Sequence, residues 1–284
     1  MFSCFSIIER GKPRDIRAYH INDRLVQNAL CEQVLLPELT PRFIYDNCAT
    51  LRGKGIDFAL KRVKKHLQQA HREYGLGKDF YGLRIDIQKY FDSIDHKSLK
   101  KAAKRLIKDK RIYQLCCYLI DTFSFKLTKD SSPIPGKDYY ISKRHKYTRI
   151  STTNFKPGRK YYEYDNKSLR LGSQTSQLFA LLALNEIDHF IKEELHIKYY
   201  GRYMDDLYLF HNDSQYLAEC EKRIEVRLNK QGLKMNKKKT TITRISPIHA
   251  DGKRHAPLKY LKWNFYLTDT NHIIQIPFKK KVAH

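Results

Sequence analysis

Apolar and polar positions alternate with a period of two in residues 79–95, DFYGLRIDIQKYFDSID, where Leu83, Ile85 and Ile87 interleave with Arg84 and Asp86. That period predicts a strand with Asp86 near its end. Residues 199–210, YYGRYMDDLYLF, place Asp205 and Asp206 between two aromatic and apolar runs, with Gly201 the only breaker before them. Such composition predicts a hairpin with both carboxylates at its tip. Residues 2–8 are apolar enough for a further strand, and Gly11 and Pro13 mark a turn from which Lys12 and Arg14 project. Helical spacing takes over elsewhere. Leu25, Val26, Ala29, Leu30 and Val34 predict a helix over 23–36, ended by Pro37 and Pro41. Residues 97–108 and 112–123 are amphipathic and are expected to pack on the sheet that carries Asp86, with Asp95 as a good N-cap. An apolar helix opens at 178–184 and continues over 185–194 with a charged face. A last one, 215–230, carries Leu217, Cys220, Ile224 and Leu228 and is stopped by Gly232. LKYLKWNFYLTD followed by HIIQIPF reads as a closing hairpin over 258–278.

A chain of 284 residues can bury a sizeable core as one large domain or two intimate subdomains. Its 55 Lys and Arg outnumber 30 Asp and Glu, a net charge of +25 that favours a polyanionic partner. Interspersed Tyr and Phe favour nucleic acid over a membrane surface, and no apolar run is long enough to span a bilayer. Basic residues concentrate in 126–167, which holds six tyrosines (139, 140, 147, 161, 162 and 164) and several Pro and Gly. This segment suits either an insertion that tracks a phosphate backbone and stacks on bases, or a solvated loop. The six cysteines form no C-x-x-C pair and read as reduced thiols of a cytosolic protein. The histidines form no H-E-x-x-H pattern, so no zinc site is expected.

The acidic positions carry the candidate chemistry. Adjacent carboxylates on rigid strands cannot turn both charges apart, and hard oxygen donors suit Mg²⁺ or Mn²⁺. A solvated Asp-Asp turn is the competing reading of Asp205 and Asp206. Asp86 adds a third carboxylate at a strand end, whereas Asp92 and Asp95 read as structural. Together Asp86, Asp205 and Asp206 suffice for two divalent ions about 3.5–4 Å apart, the arrangement that clamps attacking and leaving oxygens in phosphoryl transfer.

LRIDIQKYFDSIDH followed by YMDD resembles the two catalytic blocks of reverse transcriptases in their order. The resemblance covers residues 5–280 and implies an α+β right-hand polymerase fold with a short or missing thumb. It implies one domain over 1–284, with fingers at 1–78 and 97–170 interleaved with a palm at 79–96 and 171–245. It adds Ile87 to the metal set of Asp86, Asp205 and Asp206, and implies Mg²⁺ or Mn²⁺ as cofactor. KPRDIRAY resembles the fingers hairpin that closes over a nucleotide triphosphate, with Arg14 and Lys12 as its phosphate ligands. Arg24 also matches the family and reads as structural. The glycine-rich turn of LRGKGIDF resembles the next block, and Lys54, Lys61, Arg62, Lys64 and Lys65 either meet the template or form a solvated face. Phe91 takes the place of the aromatic that excludes a 2′-hydroxyl. GLKMNKKKTTI aligns Lys239 with a lysine that protonates pyrophosphate, with Lys237 and Lys238 as neighbouring candidates.

The stretch LRLGSQTSQ separates subtypes. Leu171, with Gly172, stands where most bacterial relatives carry the glutamine of a P-Q-G triplet. Apolar-G-x-x-x-S-Q resembles the enzymes of diversity-generating retroelements, which copy a template RNA with frequent errors at adenines. That implies template RNA and cDNA or primer as partners, a small basic accessory protein, and a bacterial or phage-encoded cytoplasmic enzyme. The alternatives are a retron-like or phage-defence reverse transcriptase and a catalytically inactive nucleic-acid-binding relative.

Overall fold

The structure, a computed structural model, describes residues 2–9, 12–74, 79–122, 124–128, 130, 132–143, 146–156, 158–169, 172–247 and 257–278. The strands are β1 (Phe2–Glu9), β2 (Lys12–Tyr19), β3 (Phe80–Asp86), β4 (Phe125–Leu127), β5 (Tyr139–Lys143), β6 (Lys146–Ile150) and β7 (Tyr162–Tyr164). They continue with β8 (Tyr199–Tyr203), β9 (Asp206–His211), β10 (Thr241–Ile245), β11 (Leu258–Tyr260), β12 (Trp263–Leu267) and β13 (Ile273–Pro277). The helices are α1 (Ile21–Leu30), α2 (Leu36–Leu39), α3 (Ile56–Tyr74), α4 (Tyr90–Ser93), α5 (His96–Leu106), α6 (Lys110–Asp121), α7 (Gln174–Ala183), α8 (Asn185–His189) and α9 (Ser214–Lys230). The chain divides into two compact units, residues 1–39 with 91–180 and residues 40–90 with 181–284.

The first unit holds the β1–β2 hairpin and a second sheet in the order β4-β7-β5-β6. Pro13 lies within β2 opposite Ile8, so Lys12 and Arg14 belong to the strand, opposite Glu9 and Ile7, rather than to the turn. The helix expected over 23–36 runs further than Pro37. Its turns widen at Cys31–Leu35, where Leu36 N–H reaches back to the Cys31 carbonyl, and α2 then carries Pro37 through. A wide turn relieves the hydrogen bond and the space that a proline denies an α-helix. Helices α5 and α6 pack on one another in this unit. Asp95 caps α5 as expected, accepting from Ser98 N–H at 2.8 Å.

The basic segment 126–167 is a folded sheet with its own aromatic core. Tyr139 and Tyr161 are buried, and Tyr161 stacks on Phe155 with ring centroids 3.8 Å apart. Tyr139 donates to Asp130 at 2.8 Å, and Lys137 bridges Asp130 and Glu163 at 2.7 Å each. Two of the six tyrosines expected to stack on bases therefore hold the insertion together, whereas Tyr164 is exposed.

The second unit is built on an antiparallel sheet in the order β10-β3-β9-β8. Strand β9 is buried through Leu207, Tyr208, Leu209 and Phe210, because both of its faces are covered. One face, with Phe80, Tyr208 and Phe210, joins a core with Ala59, Leu60, Val63, Leu67 and Ala70 of α3. Those α3 positions recur at three- and four-residue spacing, the stripe an amphipathic helix buries. On the other face α9 packs on β3 and β9, burying Leu217, Cys220, Ile224 and Leu228. Asp213 caps α9, and Gly232 at φ 75° ends it with Leu233 N–H on the Leu228 carbonyl at 3.0 Å. The apolar helix expected over 178–194 breaks at Leu184 and finishes in a wide turn at Phe190–Glu194. Residues 258–278 form a three-stranded sheet, β11-β12-β13, rather than a simple hairpin.

Candidate active site

The register of β3 on β9 sets Asp86 directly opposite Asp206. Like charges opposed across a strand pair destabilise the sheet unless something compensates. Tyr203 pairs with Asp206, so Met204 and Asp205 are the two central residues of the β8–β9 turn, and Met204 sits at φ 53°. A non-glycine residue in that region carries strain of roughly 1–3 kcal/mol, which marks the turn as constrained for more than connection.

Each opposed carboxylate carries a cation of the protein itself. Arg84 grips Asp206 with its fork, Nε to Oδ1 at 2.8 Å and Nη2 to Oδ2 at 2.9 Å. Lys239 reaches both oxygens of Asp86 at 3.2 and 2.9 Å, and Asn236 Nδ2 donates to Oδ1 at 2.8 Å. Arg84 alternates with Asp86 in the sequence, so it shares the face of the sheet on which Asp86 and Asp206 stand. Burial, reinforced by Asp206 and Asp86, pushes the Asp205 carboxyl up to about 6. Burial also raises Asp206 against the opposing pull of Arg84.

A folded carboxyl that holds its proton more tightly than the unfolded chain lowers stability as pH rises. Without divalent cations, the wild type should therefore lose stability between pH 4 and 6.5 relative to Asp205→Asn. Thermal unfolding of the two proteins across that range checks the difference, and parallel curves would remove Asp205 as its source.

Within KMNKKKTT, Lys237 and Lys239 are distinguished by their partners. Lys237 is bound to Glu221 and Glu225 of α9 at 3.3 and 2.6 Å, whereas Lys239 stands on Asp86. Ile87 follows β3, is buried, and forms a bridge with Met235 that ties Lys239's loop to the strand end. Lys54 and Arg62 are taken by local partners: Lys54 donates to the Tyr45 carbonyl at 2.6 Å and Arg62 pairs with Asp46. Lys61 and Lys65 remain exposed.

Three carboxylates offer the hard oxygen donors that fit a divalent ion in chemistry. Among the described residues, however, no three His, Cys, Asp or Glu side chains converge as a metal cluster. The reason is local, since Arg84 and Lys239 draw Asp206 and Asp86 to themselves.

Residues 9–265 match the sequence profile of the reverse transcriptase (RNA-dependent DNA polymerase) family. The chain belongs to the reverse transcriptase family. No curated protein sequence matches it. Solved structures similar to it include apo telomerase from Candida tropicalis truncated from its C-terminal domain, at 13% identity and TM-score 0.64, covering 97% of this chain and 55% of that one. Telomerase from Candida tropicalis in complex with a TWJ fragment of telomeric RNA matches at 12% identity and TM-score 0.64, covering 100% and 45%. The corresponding Candida albicans complex matches at 14% identity and TM-score 0.59, covering 99% and 47%. The chain thus spans about half the length of these structures, and the likeness shows the α+β right-hand polymerase fold.

Within this reverse transcriptase fold, Asp86, Ile87, Asp205, Asp206 and Lys239 all lie in the second unit. Lys12 and Arg14 on β2, Phe91 on α4 and Gly172 lie in the first. Phe91 is half-buried, and its carbonyl accepts from Leu169 N–H at 2.7 Å. Gly172 is exposed at φ 124°, a conformation that favours glycine, and Ser173 after it caps α7 through Ser176 N–H at 3.1 Å. Leu171 lies outside the described residues. Gly172 and Ser173 line a cavity of about 250 Å³ with Ile21, Arg24, Leu25 and Asn28. Sequence reasoning missed Arg84 and Asn236. The alternation that exposed Asp86 also placed Arg84 on its face, and that signal could have found it.

Proposed function

We propose that the chain is an RNA-directed DNA polymerase that copies a template RNA into cDNA with two divalent ions, Mg²⁺ or Mn²⁺. The observation that carries the reading is Asp86 opposed to Asp206 with Asp205 beside it, at the ends of the two central strands of an antiparallel sheet in a reverse transcriptase-family chain. Asp86, Asp205 and Asp206 would hold the ions with the Ile87 segment, with Asp206 released from Arg84. When bound, the ions polarise the attacking hydroxyl and neutralise charge on the leaving pyrophosphate. Lys239, whose Nζ donates to Asp86, is the proposed proton donor to that leaving group. Lys12 and Arg14 are proposed to bind the triphosphate, Phe91 to exclude a 2′-hydroxyl, and Leu171 with Gly172 to line the base-pair pocket. The palm role falls to 79–96 and 171–245 and the fingers role to 1–78 and 97–170. Primer extension on an RNA template tests the reading, and no extension with either ion would overturn it.

Template RNA is the partner supported by the charge of +25 and by the RNA-bound telomerase neighbours. Exposed Lys156, Arg159 and Lys160 of the insertion are proposed phosphate ligands. Replacing all three by Ala should reduce the slope of log affinity against log salt by about 2, since each single-strand phosphate contact contributes ~0.7. An unchanged slope in filter binding would make the insertion a solvated appendage.

The diversity-generating type is supported by LGSQTSQ. Leu171 cannot offer the polar contact of an amide, and one lost hydrogen bond of about 1–2 kcal/mol relaxes discrimination several-fold to tenfold. Leu171→Gln should lower misincorporation opposite template adenine, read by sequencing cDNA from both enzymes on one template. Equal error rates would separate Leu171 from fidelity. A small basic accessory protein belongs to the same proposal. No helix of the described residues is long and apolar enough to cross a membrane. A cytoplasmic setting is proposed from the free thiols at Cys31, Cys48, Cys116, Cys117 and Cys220.

A further inference from the structure

Beneath the acidic turn, on the face of the sheet opposite to Asp86 and Asp206, an arginine is buried without any exposed surface. Arg202 pairs with Leu207 across β8 and β9, one step out of phase with Asp206, so its side chain enters the α9 side. There it meets Asp188 of α8 in a fork, Nε to Oδ1 at 2.8 Å and Nη2 to Oδ2 at 2.6 Å. Nη2 also donates to the Leu181 carbonyl at 3.2 Å, and Tyr200 donates its hydroxyl to Asp188 Oδ1 at 2.5 Å. The backbone of Arg202 is tied as well: its N–H to the Asp46 carbonyl at 3.0 Å and its carbonyl to Cys48 N–H at 2.8 Å.

One nitrogen of the guanidinium, Nη1, is left for the turn. Arg202 Nη1 donates to the Met204 carbonyl at 3.0 Å. That carbonyl belongs to the peptide whose nitrogen is Asp205 N, and a peptide is planar, so holding one end fixes the other. The same peptide nitrogen carries the Cα from which the Asp205 side chain departs, so its plane bears on where the carboxylate points. A continuous path of short, directed contacts therefore runs from Asp188 through Arg202 to the Met204 carbonyl, one peptide away from the Asp205 Cα.

We propose that Arg202, locked by Asp188 and Tyr200, is a positioning residue that sets the orientation of Asp205 for cation binding. A lysine could keep the charge opposite Asp188, but with no fork it cannot hold the carboxylate and the Met204 carbonyl together. The inference rests on the polymerase reading only for its kinetic arm.

The test compares wild type, Arg202→Lys and Tyr200→Phe, each first shown to be folded by circular dichroism. Mn²⁺ binding is titrated by electron paramagnetic resonance, and primer extension is resolved into kcat and KM for the nucleotide. Arg202→Lys should weaken Mn²⁺ binding and lower kcat by about ten- to a hundredfold with KM nearly unchanged, as expected for a misplaced ligand. Tyr200→Phe, which keeps the ion pair, should show the same pattern at several-fold. A purely structural role would lower the melting temperature of both while folded protein kept wild-type Mn²⁺ affinity and kcat, and that result overturns the proposal. If Arg202→Lys does not fold, Tyr200→Phe decides alone by the same criterion. A wild type that binds Mn²⁺ but extends no primer defeats the polymerase reading and leaves the Mn²⁺ comparison decisive. A wild type that binds no Mn²⁺ overturns the positioning role too.

Discussion

Asp86→Asn and Asp205→Asn should each abolish primer extension, by about a thousandfold or more, while leaving RNA affinity within about twofold of wild type. An amide keeps the shape of the carboxylate and loses its charge, and a metal-assisted displacement depends on that charge for several kcal/mol. RNA affinity survives because it comes from lysines and arginines spread over the chain rather than from three acidic side chains. The acidic positions also differ in their effect on stability. Asp205→Asn should stabilise the metal-free chain at pH 7, since it removes a buried, repelled carboxylate. Asp206→Asn should destabilise it by roughly 1–3 kcal/mol, because the Arg84 guanidinium then loses its bidentate partner. Wild-type extension by both Asp86→Asn and Asp205→Asn would refute the site, and equal stability changes at 205 and 206 would refute the assignment of Arg84.

Gly201→Ala is expected to destabilise the second unit by about 3 kcal/mol, the upper range for overpacking a core. A Cβ at Gly201 would stand 2.5 Å from Tyr208 Oη and 2.7 and 2.8 Å from two carbons of its ring. Tyr208 cannot step aside: it is fully buried, lies 3.0 Å from His66 Nδ1 and meets the Tyr260 ring edge-on at 5.0 Å. Adding Tyr208→Phe removes only the contact with the hydroxyl. The double variant should therefore recover less than half of the loss, because the ring carbons still clash. Urea unfolding of the four proteins checks this, and an unchanged midpoint for Gly201→Ala would mean that the strand pair is looser than its register implies. Activity should fall with stability here, since Gly201 lies between Tyr200 and Arg202 on the strand that leads into the acidic turn.

How much of this was readable from residues alone depends on the range of the interaction. Alternation around Asp86, the DD pair at a hairpin tip, the Asp95 cap and the buried stripe of α9 are local, and each was legible within a window of a dozen residues. The ordered blocks LRIDIQKYFDSIDH and YMDD also carried the family, because each is a short contiguous pattern and their order is read directly along the chain. Local rules misled where neighbours in space override them. Pro37 stops an isolated helix, but the widened turn before it lets the helix pass. Tyr139 and Tyr161 look like stacking platforms, yet they form the core of a small sheet that has few aliphatic residues to bury.

What only the tertiary structure decided are the partnerships across long sequence separations. Nothing near Asp206 in the chain names Arg84, which is 122 residues away, or tells that Lys239 rather than Lys237 reaches Asp86 across 153. Sheet register made those choices, because β9 lies between β3 and β8 and a period of two assigns every side chain to one face or the other. The same period sent Arg202 beneath the sheet and the carboxylates above it. The chain itself thus determined which residue types stand at the strand ends, and the pairing of the strands determined which charges meet there.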